Sequence, residues 1–131
     1  MGKKSWNALY DKAWKLHSER IRREAGGICY TCGEFHPWKE THAGHFQHGK
    51  YMSFEAHNIQ CQCCRCNTFQ DGALDKFERH LIEDIGKKAT FALMDLKRNR
   101  VGTNFQYTEE FLKHVIEREK EFLEVLDEEG K

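Results

Sequence analysis

Two cysteine clusters on either side of a histidine constrain the fold of this chain more than any other feature. Cys29 and Cys32 form one pair, and a second cluster extends from Cys61 to Cys66, with His45 between them. Cysteines with two residues between them are the usual way in which a chain binds one structural Zn²⁺ tetrahedrally. The six cysteines favour metal binding in a reducing, cytoplasmic compartment over disulfide formation.

The second cluster offers two pairs at the same spacing, Cys61 with Cys64 or Cys63 with Cys66. We choose Cys63 and Cys66, because that pair lies in the first turn of a predicted helix and is followed directly by Asn67. Cys61 and Cys64 are then spare thiols, which we predict to be buried like small hydrophobic residues.

Composition indicates one small domain. The chain has 131 residues, 39% of them hydrophobic, and a formal net charge of zero. The charge is uneven, because residues 1–65 hold ten Lys or Arg against six Asp or Glu, whereas residues 66–131 hold eleven against fifteen. The basic excess of the first helix could contact phosphates, although two ordinary solvated helix faces explain it equally well. No apolar run is long enough to cross a membrane, so we expect no membrane attachment.

Residue periodicity predicts a mostly helical α+β protein. An amphipathic helix is expected over 3–25, ending at Gly26 and Gly27, followed by a β-hairpin over 38–51 and a short stretch over 59–63 that leads into the second cysteine pair. Further helices are predicted over 64–71, 73–86 and 87–99 and from the N-cap Thr108 onward. We therefore expect a basic helix in residues 1–27, a zinc-bound hairpin with following helices in 28–99, and an amphipathic helix in 100–131. That last helix would pack on its own domain or on a second subunit.

His45 is the first candidate for chemistry, and we expect it on the second half of the hairpin. An imidazole can deprotonate water near neutral pH, and phosphodiester hydrolysis needs such a base together with a divalent metal. Asn67, at the helix start, could supply an oxygen ligand to that metal. The alternative is that His45 is an ordinary polar strand residue or a zinc ligand. Asn58 is a weaker candidate, which either holds the loop that orients His45 or forms a plain Asx-turn.

Several motifs together resemble those of the lambdoid phage NinG (Rap) recombination proteins, over about residues 27–98. They are Cys29-Tyr-Thr-Cys-Gly33, Ala43-Gly-His-Phe46, Asn58-Ile-Gln-Cys-Gln-Cys63, Cys66-Asn-Thr-Phe69 and Leu81-Ile-Glu-Asp-Ile-Gly86. Their order is also similar to that of the HNH, or ββα-metal, endonucleases on a treble-clef zinc frame, such as phage endonuclease VII. The resemblance implies an Mg²⁺- or Mn²⁺-dependent endonuclease that cleaves branched double-stranded DNA, namely Holliday junctions and D-loops, during phage recombination. A homodimer would suit symmetric cleavage of two strands.

The resemblance makes His45 the general base and Asn67 a ligand of the catalytic metal, with Cys29, Cys32, Cys63 and Cys66 on the structural zinc. One position departs from the pattern, because the acidic ligand that often precedes the base is replaced by Gly44. His42, His48 and Asp71 are the nearby candidates for a second ligand, and we select His42.

Two other functions stay open on the sequence. Gly44 would also suit a non-catalytic zinc-finger module that binds DNA or acts as an adaptor. A sequence-specific HNH nuclease is the third possibility, and the absence of room for a separate recognition domain in so short a chain counts against it.

Overall fold

A computed structural model describes residues 2–131, which form three long helices and a two-stranded antiparallel sheet. In chain order these are α1 (Lys3–Glu24), β1 (His42–His45), β2 (Ile59–Gln62), α2 (Leu74–Arg100) and α3 (Glu109–Glu128). Short helical turns lie at Trp38–Glu40 and Lys50–Met52, and a π-helical turn (the π-turn) lies at Arg65–Phe69. The predicted mixture of a small sheet with mostly helical structure is confirmed.

Helix α1 ends where the sequence predicted. Its last residue is Glu24, and Gly26 and Gly27 follow with φ angles of 62° and 76°. Glycine adopts this left-handed conformation without steric cost. At Gly27 a side chain is also excluded by space, because a Cβ there would lie 1.8 Å from the carbonyl oxygen of His36.

The predicted hairpin over 38–51 is wrong in its second strand. β1 pairs with β2, so that His42 lies opposite Gln62 and His45 opposite Ile59. His45 therefore ends the first strand and does not lie in the second half of the hairpin. The connection between the strands is a loop, anchored by the burial of Phe46, Met52 and Phe54 in two hydrophobic clusters. The loop is held by packing against helices that are distant in the chain. The periodicity of its own residues therefore does not predict its conformation.

The segment after β2 is less regular than predicted. The helix expected over 64–71 is the single π-turn, and a left-handed run at Asp71, Gly72 and Ala73 separates it from α2. The predicted pause at Gly72 is thus confirmed. Gly86, expected to separate two helices, has non-helical angles (φ 88°, ψ 162°) inside α2. α2 therefore consists of two helical segments that meet at Gly86, and the predicted break between two helices is confirmed. The Thr90 hydroxyl donates to the Gly86 carbonyl at 2.8 Å across this break.

Helix α3 begins at the predicted N-cap, since the Thr108 hydroxyl accepts a hydrogen bond from the Phe111 amide at 3.0 Å. Its apolar stripe packs mainly against α1, together with Phe54 and Tyr107. The buried members of the stripe are Leu112, Val115, Ile116, Leu123 and Leu126. These residues therefore pack within the chain, which was one of the two predicted alternatives for this helix. Phe122 and Val125 on the same helix stay about half exposed. Within residues 2–131 no helix has the length and apolar character needed to span a bilayer.

A buried carboxylate joins α1 to α3. Glu119 is fully buried and accepts hydrogen bonds from Arg20 (2.7 and 3.1 Å), Arg118 (3.0 Å) and the His17 ring (3.2 Å). Burial by itself raises the pKa of Glu119, but the bonds from His17 and Arg20 outweigh it and lower the pKa to about 2. The carboxylate is therefore charged at neutral pH, and it neutralises guanidinium groups that are themselves partly buried.

We expect Glu119→Gln to destabilise the protein by about 3 kcal/mol, because removal of one partner leaves cationic groups uncompensated inside the fold. The free energy of unfolding from urea titrations at neutral pH measures the effect. Glu117→Gln is the control, since the Glu117 side chain on the same helix is 72% exposed. Equal stability of the two variants would show that the buried network contributes nothing to the packing of α1 on α3.

Candidate metal centre and histidine site

Four cysteines from three local structures converge at one point. Cys29 and Cys32 lie in the turn after α1 (the first knuckle, residues 29–33), Cys63 follows β2, and Cys66 lies in the π-turn. Their Sγ atoms all lie within 4.8 Å of one another, and those of Cys32 and Cys63 are 3.8 Å apart. A zinc tetrahedron with Zn–S bonds of about 2.3 Å has S–S edges of about 3.8 Å. The four thiols therefore fit a structural zinc, and the members of the second cluster that lie beside Cys29 and Cys32 are Cys63 and Cys66.

Backbone geometry brings the first knuckle to the sheet. The Gly33 amide donates to the Cys29 carbonyl at 2.9 Å, closing a tight turn in which Gly33 has a φ of 78°. The Tyr30 amide donates to the Cys61 carbonyl at 2.7 Å, which joins the knuckle to β2. Burial raises the pKa of the Cys29 thiol, but hydrogen bonds from Thr31 and from backbone amides outweigh burial and lower that pKa to about 6. The knuckle is thus arranged to hold a thiolate, the form that binds zinc.

The two spare thiols differ in their surroundings. Cys61 is buried in β2, as predicted, and burial raises the pKa of its thiol. Cys64 is exposed, so the prediction that both are buried is wrong for this residue. Cys63 and Cys66 both face the sulfur cluster, and Cys64 between them is exposed to solvent.

His45 lies at the end of β1 against α1. Its ring stacks on Trp14 with centroids 5.0 Å apart, and on His48 with centroids 5.4 Å apart. Burial is the main cause that lowers the pKa of His45, and positive charge on His48, His17 and Lys97 adds to it, so that the pKa falls from 6.5 to about 4. The imidazole is therefore neutral at physiological pH, and in the free protein it is less basic than an exposed histidine.

Asn67 meets His42 rather than His45. The Asn67 side-chain amide lies 2.9 Å from Nδ1 of His42. Residues 42 and 45 lie on opposite faces of β1, because side chains alternate along a strand. Among the described residues 2–131, no hydrogen bond or ring contact joins His45 to Asn67. Two pairs result, His45 with Trp14 on the α1 side and His42 with Asn67 on the π-turn side.

The space above Gly44 is filled by Gln62. A Cβ on Gly44 would lie 1.8 Å from Oε1 of Gln62, whose side chain is fully buried. Nε2 of Gln62 donates to the Thr31 hydroxyl (3.1 Å) and to the Gly72 carbonyl (2.8 Å), which fixes the amide and leaves Oε1 without a partner among residues 2–131. Gln62 therefore ties the first knuckle to the turn before α2 and closes the space above Gly44.

We expect Gly44→Ala to destabilise the fold by about 1–3 kcal/mol, because the new methyl group forces the Gln62 amide away from buried acceptors that then lack a donor. Thermal and urea unfolding measure the loss. Gly2→Ala is the matched control, since nothing lies within 4 Å of a Cβ at that position. A Gly44→Ala protein as stable as the control would mean that Gln62 moves at no cost.

The remaining predicted residues have separate positions. Asn58 is fully buried and holds the loop after His45: its Oδ1 accepts from the Gln47 amide (2.9 Å), and its Nδ2 donates to the carbonyls of Gln47 (3.0 Å) and Met52 (2.9 Å). Asp71 is exposed in the left-handed run. Reasoning from the sequence missed Gln62 and the contact of Trp14 with His45, because no local pattern distinguishes either residue from ordinary core.

The chain was compared with known proteins. The family model described as Bacteriophage Lambda NinG protein matches residues 2–129. This chain belongs to the NinG family. No curated protein and no solved structure matches it. The match confirms the resemblance carried by the cysteine and glycine-histidine motifs, and it extends beyond them to include α1 and α3 of this NinG chain.

Proposed function

We propose that this NinG protein is a structure-selective, divalent-metal-dependent endonuclease that cleaves branched DNA intermediates of phage recombination. The observation that carries the proposal is the position of the half-buried His45 imidazole, which lies at the end of β1 and stacks on Trp14. It ends a strand that lies beside a four-cysteine centre, in a member of a phage recombination family. A general base is needed where water attacks a phosphodiester.

The order of the elements supports a more specific description of the fold, namely a treble-clef, ββα-type zinc fold. The first knuckle precedes β1 and β2, and the second cysteine pair follows β2 and enters the π-turn. In this frame zinc is structural, since four protein ligands leave it no open position for water. The chemistry is then assigned to residues beside the zinc centre and not to the cysteines.

The proposed roles follow from the two pairs of residues. His45 takes the proton from water, with Trp14 stacked on its ring to set its orientation. A bound phosphate would add negative charge beside His45 and raise its pKa toward neutrality, where a base is most effective. Asn67 and His42 are the residues that would hold Mg²⁺ or Mn²⁺. They lie on the opposite face of β1 from His45, so the proposal requires a phosphodiester that reaches both faces of this strand. Such an ion stabilises negative charge on the leaving oxygen.

A non-catalytic DNA-binding or adaptor protein is the second candidate. The observation that favours it is the Gln62 amide, which fills the space above Gly44 where an acidic metal ligand would lie. Only two protein ligands, His42 and Asn67, are available to the proposed catalytic metal, which also favours this candidate. Mg²⁺, however, commonly keeps several waters and uses only one or two protein ligands.

A synthetic four-way junction separates the two candidates. The zinc-loaded protein is incubated with the junction over a titration of Mg²⁺ and of Mn²⁺, and with linear duplex of the same sequence as a control. The proposal expects nicks in the junction that require added metal and that are rare in the duplex. Binding of the junction without nicks at any metal concentration would establish the adaptor. Equal cleavage of the duplex at one sequence would instead indicate a sequence-specific nuclease.

A further inference from the structure

A second concave site lies away from the cysteine centre, at the start of α1. This groove (the aromatic groove) has a volume of about 270 Å³ and is formed by α1, the Lys50–Met52 turn and the segment before α3. Its lining contains two lysines, four aromatic residues and two side-chain amides, and no Asp or Glu. In a chain with equal numbers of acidic and basic residues, a groove without carboxylates favours an anionic ligand.

The aromatic walls are held in place before any ligand binds. The Trp6 indole donates to the Tyr107 carbonyl at 2.6 Å, and the Arg100 guanidinium lies 3.8 Å from the centre of the Phe105 ring. Arg100 also donates to the Tyr51 carbonyl at 2.6 Å. Phe105 is 39% exposed, so part of its side chain is accessible to a ligand beside the Arg100 guanidinium. Rigid aromatic faces of this kind stack on nucleobases without sequence preference.

The polar groups of the groove are available. Lys3 and Lys50 are exposed, and neither forms an ion pair within residues 2–131. The ammonium group of Lys50 lies 5.0 Å from the centre of the Tyr10 ring, which holds it at the groove. Across the same described range, the amides of Asn7 and Gln106 make no hydrogen bond. Ammonium groups suit phosphates, and amides suit the polar edges of bases.

We propose that the aromatic groove binds an unpaired segment of a DNA strand, with a base stacked on the aromatic walls and the flanking phosphates on Lys3 and Lys50. This inference rests on the proposed function and extends it. Trp6, Tyr10 and Trp14 are spaced four residues apart on one face of α1, so Trp6 lies two turns, about 12 Å, from the Trp14 ring that stacks on His45. The groove thus places unpaired nucleotides beside a branch point whose phosphodiester lies at His45.

Binding of a fluorescent oligothymidine of about 8 nucleotides, in the range of single-strand site sizes, tests the groove by anisotropy without metal. We expect Phe105→Ala to weaken binding about tenfold, and Phe105→Trp to retain it, because stacking on one base has about that effect on affinity. Lys50→Gln should reduce the slope of log K against log salt concentration by about 0.7, the value for one phosphate contact to a single strand. Quenching of Trp6 fluorescence on binding, lost in Trp6→Phe, provides a second readout.

Phe91→Ala and Lys88→Gln are the matched controls, because both residues are exposed on α2 and lie outside the groove. Wild-type affinity and salt slope in Phe105→Ala and Lys50→Gln would overturn the inference, and so would tighter binding of oligouridine than of oligothymidine. Failure of the proposed function has a different signature. If the protein nicks junctions but does not bind oligothymidine, the proposed ligand of the groove is wrong and the nuclease proposal stands. If it binds oligothymidine through the groove but nicks no junction, the nuclease proposal is wrong and the groove proposal stands.

Discussion

Replacement of Cys63 by serine is expected to release zinc and to unfold the region between the first knuckle and α2. Cys63 is 2% exposed and contributes one of four clustered sulfurs. Zinc binding to such sites is worth about 10–16 kcal/mol at neutral pH, and that free energy is folding free energy because the unfolded chain has no preformed site. The stability of a typical domain is only about 5–15 kcal/mol, so the loss of a ligand can exceed it. Elemental analysis of zinc and thermal unfolding followed by circular dichroism measure both effects.

Cys64→Ser is the control for this experiment. It changes the neighbouring thiol, which is exposed and lies outside the sulfur cluster, and we expect one zinc per chain and unchanged unfolding. The reverse result, with zinc kept in Cys63→Ser and lost in Cys64→Ser, would assign the metal to the pair Cys61 and Cys64 and would contradict the arrangement of sulfurs described above.

Replacement of His45 is expected to have the largest effect on activity. On the proposed function His45 is the base for water, and the rate of junction cleavage without it should fall by about 10²–10⁴, the usual contribution of a positioned general base. His45→Gln is preferred to His45→Ala, because it keeps volume beside Trp14 and so preserves packing with α1. Single-turnover nicking of a junction at saturating protein measures the rate, and gel shift without metal should show unchanged binding.

His114→Ala is the matched control, since His114 is exposed on α3. A nuclear magnetic resonance titration of the free protein adds a test that is independent of cleavage. The His45 ring should titrate near pH 4 instead of near 6.5, because burial and neighbouring cationic groups disfavour its charged form. Full cleavage by His45→Gln would remove His45 from the role of base, whatever its pKa.

Features that depend on neighbours in the chain were predicted well. The spacing of Cys63 and Cys66 and their position before Asn67 predicted which cysteines meet Cys29 and Cys32, and Gly26 and Thr108 marked helix ends. These signals are local because cysteine spacing, a left-handed residue and a hydroxyl N-cap each act within a few residues. The second strand and the surroundings of His45 were not predicted, because both depend on residues far away in the chain.

The amino-acid sequence by itself determined the four-cysteine pattern that fits zinc, the end of α1, the start of α3 and the membership of the NinG family, since each is encoded in patterns of residue types. Only the tertiary structure decided which residues meet: His42 with Asn67, His45 with Trp14, and Gln62 over Gly44. Strand alternation puts His42 and His45 on opposite faces, and the packing of α1 on the sheet supplies the ring on which His45 stacks. Such contacts join residues that are up to 31 positions apart, and they follow from the packing of whole elements rather than from local preference.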